Sequence, residues 1–171
     1  MNRYLFVIDY QNDFVDGALG FPGAEKLDAK IAAKVRSYGK GHVLFTRDTH
    51  FENYLDTREG KNLPVKHCIK GTPGWEVYGE TAKALAEAEA PGIDKLVFGM
   101  DVTDPATAAV LPESADEIEL VGLVSNAVVL QSRYPEATIT VDASCTDSFD
   151  KSLHEKVLDV LAGFQVKVTG R

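Results

Sequence analysis

Short apolar runs that each stop at a polar or acidic residue recur along this chain, and that punctuation constrains its fold more than any other feature. Phe6-Val-Ile-Asp9, Leu44-Phe-Thr-Arg-Asp48 and Leu120-Val-Gly-Leu-Val-Ser125 are the clearest. Continuous apolar runs of this length suit strands buried on both faces, and longer Ala-rich amphipathic stretches between them suit covering helices. The alternation predicts βαβ units around a mainly parallel sheet, an α/β fold. Strands are expected at Tyr4–Asp9, His42–Arg47, Lys95–Gly99, Glu117–Val124, Thr138–Asp142 and Gln165–Thr169. Helices are expected at Ala24–Tyr38, ending near Gly39, at Tyr78–Ala90, ending before Pro91-Gly92, and at Ser152–Leu161. In open α/β sheets ligands bind beyond the carboxyl ends of the strands, which directs attention to Asp9, Asp48, Ser125 and Asp142.

The 171 residues fit one domain, 1–171, with no linker or internal repeat to divide it. A formal net charge of −8 argues against nucleic acid as a partner, because a phosphate backbone calls for clustered Lys and Arg. No stretch approaches the ~18 apolar residues of a membrane span, and the first run is broken by Asp9. Two cysteines, Cys68 and Cys145, are too few for a disulfide framework, and no secretory leader is evident, so a reducing cytoplasmic setting is expected. Small molecules remain as ligands.

Asp9 stands where a buried strand meets polar residues, a placement suited to a general base. The competing reading is that Asp9 and Asp13 cap the following loop. A calcium loop does not fit, since Gln11 and Phe14 occupy positions where that motif wants Asp or Asn and Gly. Asp48 and His50 lie two apart after a strand, so their side chains project the same way and can share a ligand. With His67 as third donor, one carboxylate and two imidazoles suit zinc, iron or manganese with positions left open. Ordinary hydrogen-bonding roles are the alternative for these histidines.

Taken together, Val7-Ile-Asp-Tyr-Gln-Asn-Asp-Phe14, Phe45-Thr-Arg-Asp-Thr-His50, His67-Cys-Ile-Lys-Gly-Thr-Pro-Gly74 and Val121-Gly-Leu-Val-Ser-Asn126 resemble the isochorismatase-like cysteine hydrolases in order and spacing. The resemblance extends over nearly the whole chain, including Val141-Asp-Ala-Ser-Cys-Thr146. It implies a three-layer α/β/α sandwich with a six-stranded parallel sheet. Within that superfamily an Asp-x-His pair plus a further His marks the nicotinamidase branch, so Asp48, His50 and His67 are expected to hold a divalent metal, zinc by resemblance, that receives the pyridine nitrogen of nicotinamide. Asp9 matches the family's catalytic carboxylate and Lys95, in Asp94-Lys-Leu-Val-Phe-Gly99, its lysine. Phe14 and Tyr54 are candidate walls of the ligand pocket, with ordinary core or rim packing as the equal alternative for each. Relatives are commonly dimers or larger.

The chain departs from the family at one point. The nucleophile segment of relatives reads Gly-x-x-Thr-Asp-x-Cys-Val or Gly-Leu-Val-Ser-Asn-x-Cys-Val, whereas Gly122-Leu-Val-Ser-Asn-Ala-Val-Val129 puts Val128 at the cysteine position. The stretch from there to Tyr134-Pro135 is also short by about six residues, almost two helical turns. The resemblance places oxyanion donors at the backbone N–H groups of Val124 and Val128, beside a cis bond expected at Leu123–Val124. Cys145 lies beside the nucleophile strand and Cys68 beside the metal loop, and neither matches the nucleophile. Two functions follow: hydrolysis of the C–N bond of nicotinamide or a related small amide, or binding of metal and small molecule without catalysis. A metal-bound water acting in place of the thiol is a third.

Overall fold

The computed structural model describes residues 1–123 and 127–171. Six strands run β1 Arg3–Ile8, β2 Val43–Asp48, β3 Gly92–Lys95, β4 Glu117–Gly122, β5 Thr138–Thr146 and β6 Lys167–Thr169. They form one parallel sheet in the order β3-β2-β1-β4-β5-β6. Helices are α1 Asn12–Val15, α2 Asp28–Tyr38, α3 Arg58–Asn62, α4 Gly79–Glu87, α5 Pro105–Val110, α6 Ala127–Arg133 and α7 Lys151–Gly163.

The period-two alternation of strand side chains distributes the core to both faces. Leu5 and Val7 of β1 pack with Ile31 and Val35 of α2 and Ala84 and Leu85 of α4. Phe6 and Ile8 of the same strand point the other way, into a cluster with Leu130 and Tyr134 near α6 and Leu158 and Leu161 of α7. Each β1 side chain from Leu5 to Ile8 is at most 1% exposed, which explains the unbroken apolar run. The result is the expected three-layer sandwich. Among the described residues no helix is long and apolar enough to cross a membrane.

The third strand lies earlier than the sequence suggested. It occupies Gly92–Lys95, not Lys95–Gly99, and Leu96, Val97 and Phe98 beyond it are exposed. Its unexpected member is Asp94, a residue disfavoured in strands. Arg47, its register partner on β2, meets it at 2.8 Å and offsets that penalty. β4 stops at Gly122, so the described strand is shorter than the expected Glu117–Val124, and β5 runs on to Thr146 past a register shift. At the sheet's far edge β6 begins at Lys167 instead of Gln165, whose φ of 66° is incompatible with a strand.

The expected helix Ala24–Tyr38 divides into a tight turn, Ala24–Leu27, and α2. Asp28 marks the division because its carboxylate serves the next helix: it accepts from the Glu80 and Thr81 N–H groups, both at 2.8 Å, at the start of α4. These are two of the donors that a helix N-terminus leaves without intrahelical partners. α4 itself ends at Glu87, short of Ala90. α7 extends one residue before and two beyond Ser152–Leu161 and is capped by Asp150, which accepts from the Leu153 N–H at 2.9 Å.

Candidate active site and metal centre

Asp9 follows β1 directly and turns the chain sharply, with φ at 47°. The neighbouring β4 end is close: a Cβ on Gly122, itself at φ 92°, would fall 2.3 Å from the Ile8 carbonyl oxygen, so only glycine fits there. The turn buries the Asp9 carboxylate against Lys95 at the end of β3, with Oδ2 2.5 Å from Nζ. The Thr46 hydroxyl donates to Asp9 Oδ1 at 2.6 Å and the Lys95 ammonium also donates to the Phe98 carbonyl at 3.1 Å. Burial pushes the Asp9 carboxyl above its ordinary value, against the opposing pull of Lys95 and Thr46. Lys95 is 4% exposed, so its ammonium is withdrawn from solvent.

Beside this pair, Asp48, His50 and His67 converge. Asp48 Oδ2 lies 3.0 Å from His50 Nε2 and 3.4 Å from His67 Nε2. His67 Nδ1 is 2.8 Å from the Val65 carbonyl oxygen, an acceptor only, so Nδ1 carries a proton and Nε2 is the ring nitrogen that faces the cluster. His50 Nε2 is the one buried side-chain polar atom among the described residues with no hydrogen-bond partner. An orphaned, buried nitrogen aimed at a carboxylate and a second imidazole fits a metal site better than a hydrogen-bonding role. Burial alone would raise the Asp48 carboxyl, but the two imidazoles hold it below the usual carboxylate range.

A fourth donor was not anticipated from the sequence. Glu59 of α3 brings Oε1 to 3.6 Å from His50 Nε2, and one ligand atom from each of Asp48, His50, Glu59 and His67 lies within 4.8 Å of the others. No local pattern announces it, since α3 follows a turn of separate chain and only tertiary folding brings it here. The supporting residues are likewise hidden. Gln11, fully buried, accepts from the Asp48 N–H at 2.7 Å and donates to the Asp48 and Trp75 carbonyls, both at 2.9 Å. Asp13 accepts from the Cys68 N–H at 2.7 Å and so fixes the loop that carries His67. The two acids of the first motif therefore divide the alternatives: Asp9 faces the site, and Asp13 caps a loop.

Asp9, Lys95, Asp48, Glu59 and His67 open on one cavity of about 760 Å³. Phe14 lines it. Tyr54 does not: it is fully buried behind the metal ligands, its ring 4.5 Å from that of His50 and 5.0 Å from that of His67. Its aromatic character reflects packing against imidazoles instead of ligand contact. Neither cysteine lines the cavity. Both thiols are buried, and burial raises both above the ordinary thiol value, the opposite of what a nucleophile needs. Val128 falls within α6, but its side chain is outside the described residues, as are Val124 and the Leu123–Val124 bond.

A buried carboxylate–lysine pair thus stands next to an Asp-x-His cluster that could hold a metal, at the carboxyl edge of a six-stranded parallel sheet, the architecture of an α/β fold of the isochorismatase-like class. The family model for the isochorismatase domain matches residues 3–171, and the chain belongs to that family. No curated protein matches the sequence significantly. Among solved structures, a nicotinamidase/pyrazinamidase from Bacillus subtilis superposes with a TM-score of 0.83 at 23% identity, over 99% of this chain and 100% of the other. A pyrazinamidase from Pyrococcus horikoshii in complex with zinc gives 0.78 at 20% identity over 100% of both chains. The yeast nicotinamidase bound to the inhibitor nicotinaldehyde gives 0.78 at 18% identity, over 99% of this chain and 100% of the other.

Proposed function

We propose that this chain binds a divalent metal, zinc in the first instance, and a small amide of the nicotinamide type, and that with Val128 at the cysteine position it turns that amide over only at background rate. The observation that carries the reading is that Asp48, Glu59 and His67 of the metal-ligating set and the Asp9–Lys95 pair open onto one cavity that no thiol lines. Asp48, His50, Glu59 and His67 would hold the ion, which when bound would offer a coordination position to a pyridine nitrogen or to water. Asp9 is placed to accept a proton from a nucleophile above it, and Lys95 to hold negative charge at the same spot. The relatives' reaction needs a thiolate to attack the amide carbon, and valine supplies none. What remains is recognition: Phe14 offers an apolar wall for the ring, while the metal site orients the ligand.

The test is calorimetry with nicotinamide on zinc-loaded and chelator-stripped protein, paired with metal analysis of the parent chain and His50→Ala. Weak binding that needs zinc, and metal lost from His50→Ala, are expected. Equal metal content in both proteins, or no heat from the zinc-loaded form, would overturn the reading.

A further inference from the structure

The cavity is larger than a single-ring amide needs. Its volume of about 760 Å³ lies in the upper part of the ~300–1,000 Å³ range of sites that enclose drug-sized ligands. The extra space lies against α7, whose core side chains also face the cavity: Leu158 and Leu161 line it while packing in the same cluster as Leu130 and Tyr134. Leu153 and Val157 extend that surface outward along α7, and Leu19 and Phe21 face it from the connection between α1 and α2. This apolar extension is continuous with Asp9, Lys95 and the metal-ligating set.

We propose that the ligand class of this site is an amide bearing an apolar arm, alkyl or aryl, with the amide held at Asp9, Lys95 and the metal set and the arm lying against α7. The inference rests on the functional reading above. An exposed apolar wall leading to a polar floor matches an amphiphilic ligand, since each methylene withdrawn from water contributes about 0.8 kcal/mol, or roughly a fourfold gain in affinity. A polar single-ring amide would leave most of that wall wet.

The experiment is calorimetry on the zinc-loaded full chain with nicotinamide and two series of derivatives, alkylated on the amide nitrogen or on the ring, from methyl to pentyl. Affinity is expected to rise about fourfold per methylene in at least one series. Val157→Trp, which would fill the cavity from an exposed position on α7 that lines it, should cut the pentyl-to-nicotinamide affinity ratio by tenfold or more. Flat affinities across both series while nicotinamide itself binds would overturn the inference and leave the functional reading standing. Failure of nicotinamide and all derivatives to bind would instead remove the functional reading, and this inference with it. Long-chain affinity that persists without zinc would show apolar trapping apart from the site and would equally overturn the proposal.

Discussion

The two halves of the carboxyl edge are built to different standards. On the β1–β2–β3 side the functional groups are supported, His50 Nε2 excepted: Asp9 is held by Lys95 and Thr46, the Asp48 backbone by Gln11, the His67 loop by Asp13 and Val65. On the β4–α6–α7 side the position that the family resemblance assigns to a cysteine holds valine, and core leucines border an open cavity. On the proposed function, recognition draws on the first half, whereas reaction would need a sulfur atom delivered from the second.

The largest effect expected of that contrast is on rate. Groups that act as a nucleophilic unit are strongly non-additive, and removing the nucleophile costs on the order of 10⁶ in turnover. Ammonia release from nicotinamide by the zinc-loaded chain should be indistinguishable from the uncatalysed background. A rate of about 1 s⁻¹ or more would break the comparison outright, and its loss in Cys145→Ala would then show that the second half had recruited another thiol.

Next in size is the Asp9–Lys95 pair, a test of how far the first half stands on its own. Both groups are buried, so Lys95→Met strands a carboxylate and should cost about 3–5 kcal/mol in urea unfolding near neutral pH. The cost should shrink as pH falls through the raised Asp9 value, where the carboxyl takes up a proton and the uncompensated charge disappears. The double change Asp9→Asn with Lys95→Met should recover most of the loss. A single variant costing under ~1 kcal/mol would show that water already reaches the pair, contrary to the burial argument.

Much of the better-built half was legible in the sequence because its residues are local. Asp48 and His50 share one strand end, and Asp9 ends an apolar run that can only be an inner strand. The sheet itself was legible for the same reason, since runs buried on both faces carry their own signal. Lys95 was found only through resemblance, because its strand contains Asp94, whose compensation by Arg47 is a cross-strand event. Glu59 and Gln11 were missed because neither sits in a pattern: one arrives on a separate short helix, and the other acts through backbone groups that no side-chain spacing reveals. Tyr54 was misplaced because a buried aromatic ring against an imidazole and one facing a ligand look the same in sequence.

Gln11 sharpens the comparison at a smaller scale. Gln11→Leu puts an apolar side chain of similar size in its place and removes three hydrogen bonds, two of them to the Asp48 backbone. Outer partners of metal ligands typically contribute 10–100-fold to affinity, and a loss in that range is expected in competition with a metal-binding dye. Gln11→Glu should restore the bond from the Asp48 N–H while losing both donations, giving an intermediate value. Zinc affinity unchanged in Gln11→Leu would show that the strand end holds Asp48 without help.

The smallest expected effect separates Tyr54 from Phe14, the two aromatics that look equivalent in sequence. Tyr54 contributes its ring to the imidazoles and its hydroxyl to the Leu63 carbonyl, at 2.9 Å. That carbonyl also accepts from the Val65 N–H at 2.8 Å, so Tyr54→Phe leaves no acceptor stranded. The cost should therefore be that of one ordinary hydrogen bond, about 0.5–1.5 kcal/mol in unfolding, with metal content and nicotinamide affinity unchanged. Phe14→Ala removes a cavity wall instead, and should weaken nicotinamide while sparing the metal. If Tyr54→Phe weakened the ligand as much as Phe14→Ala, the tyrosine hydroxyl would belong to the recognition surface, and the line drawn here between what supports the metal and what touches the ligand would have to move.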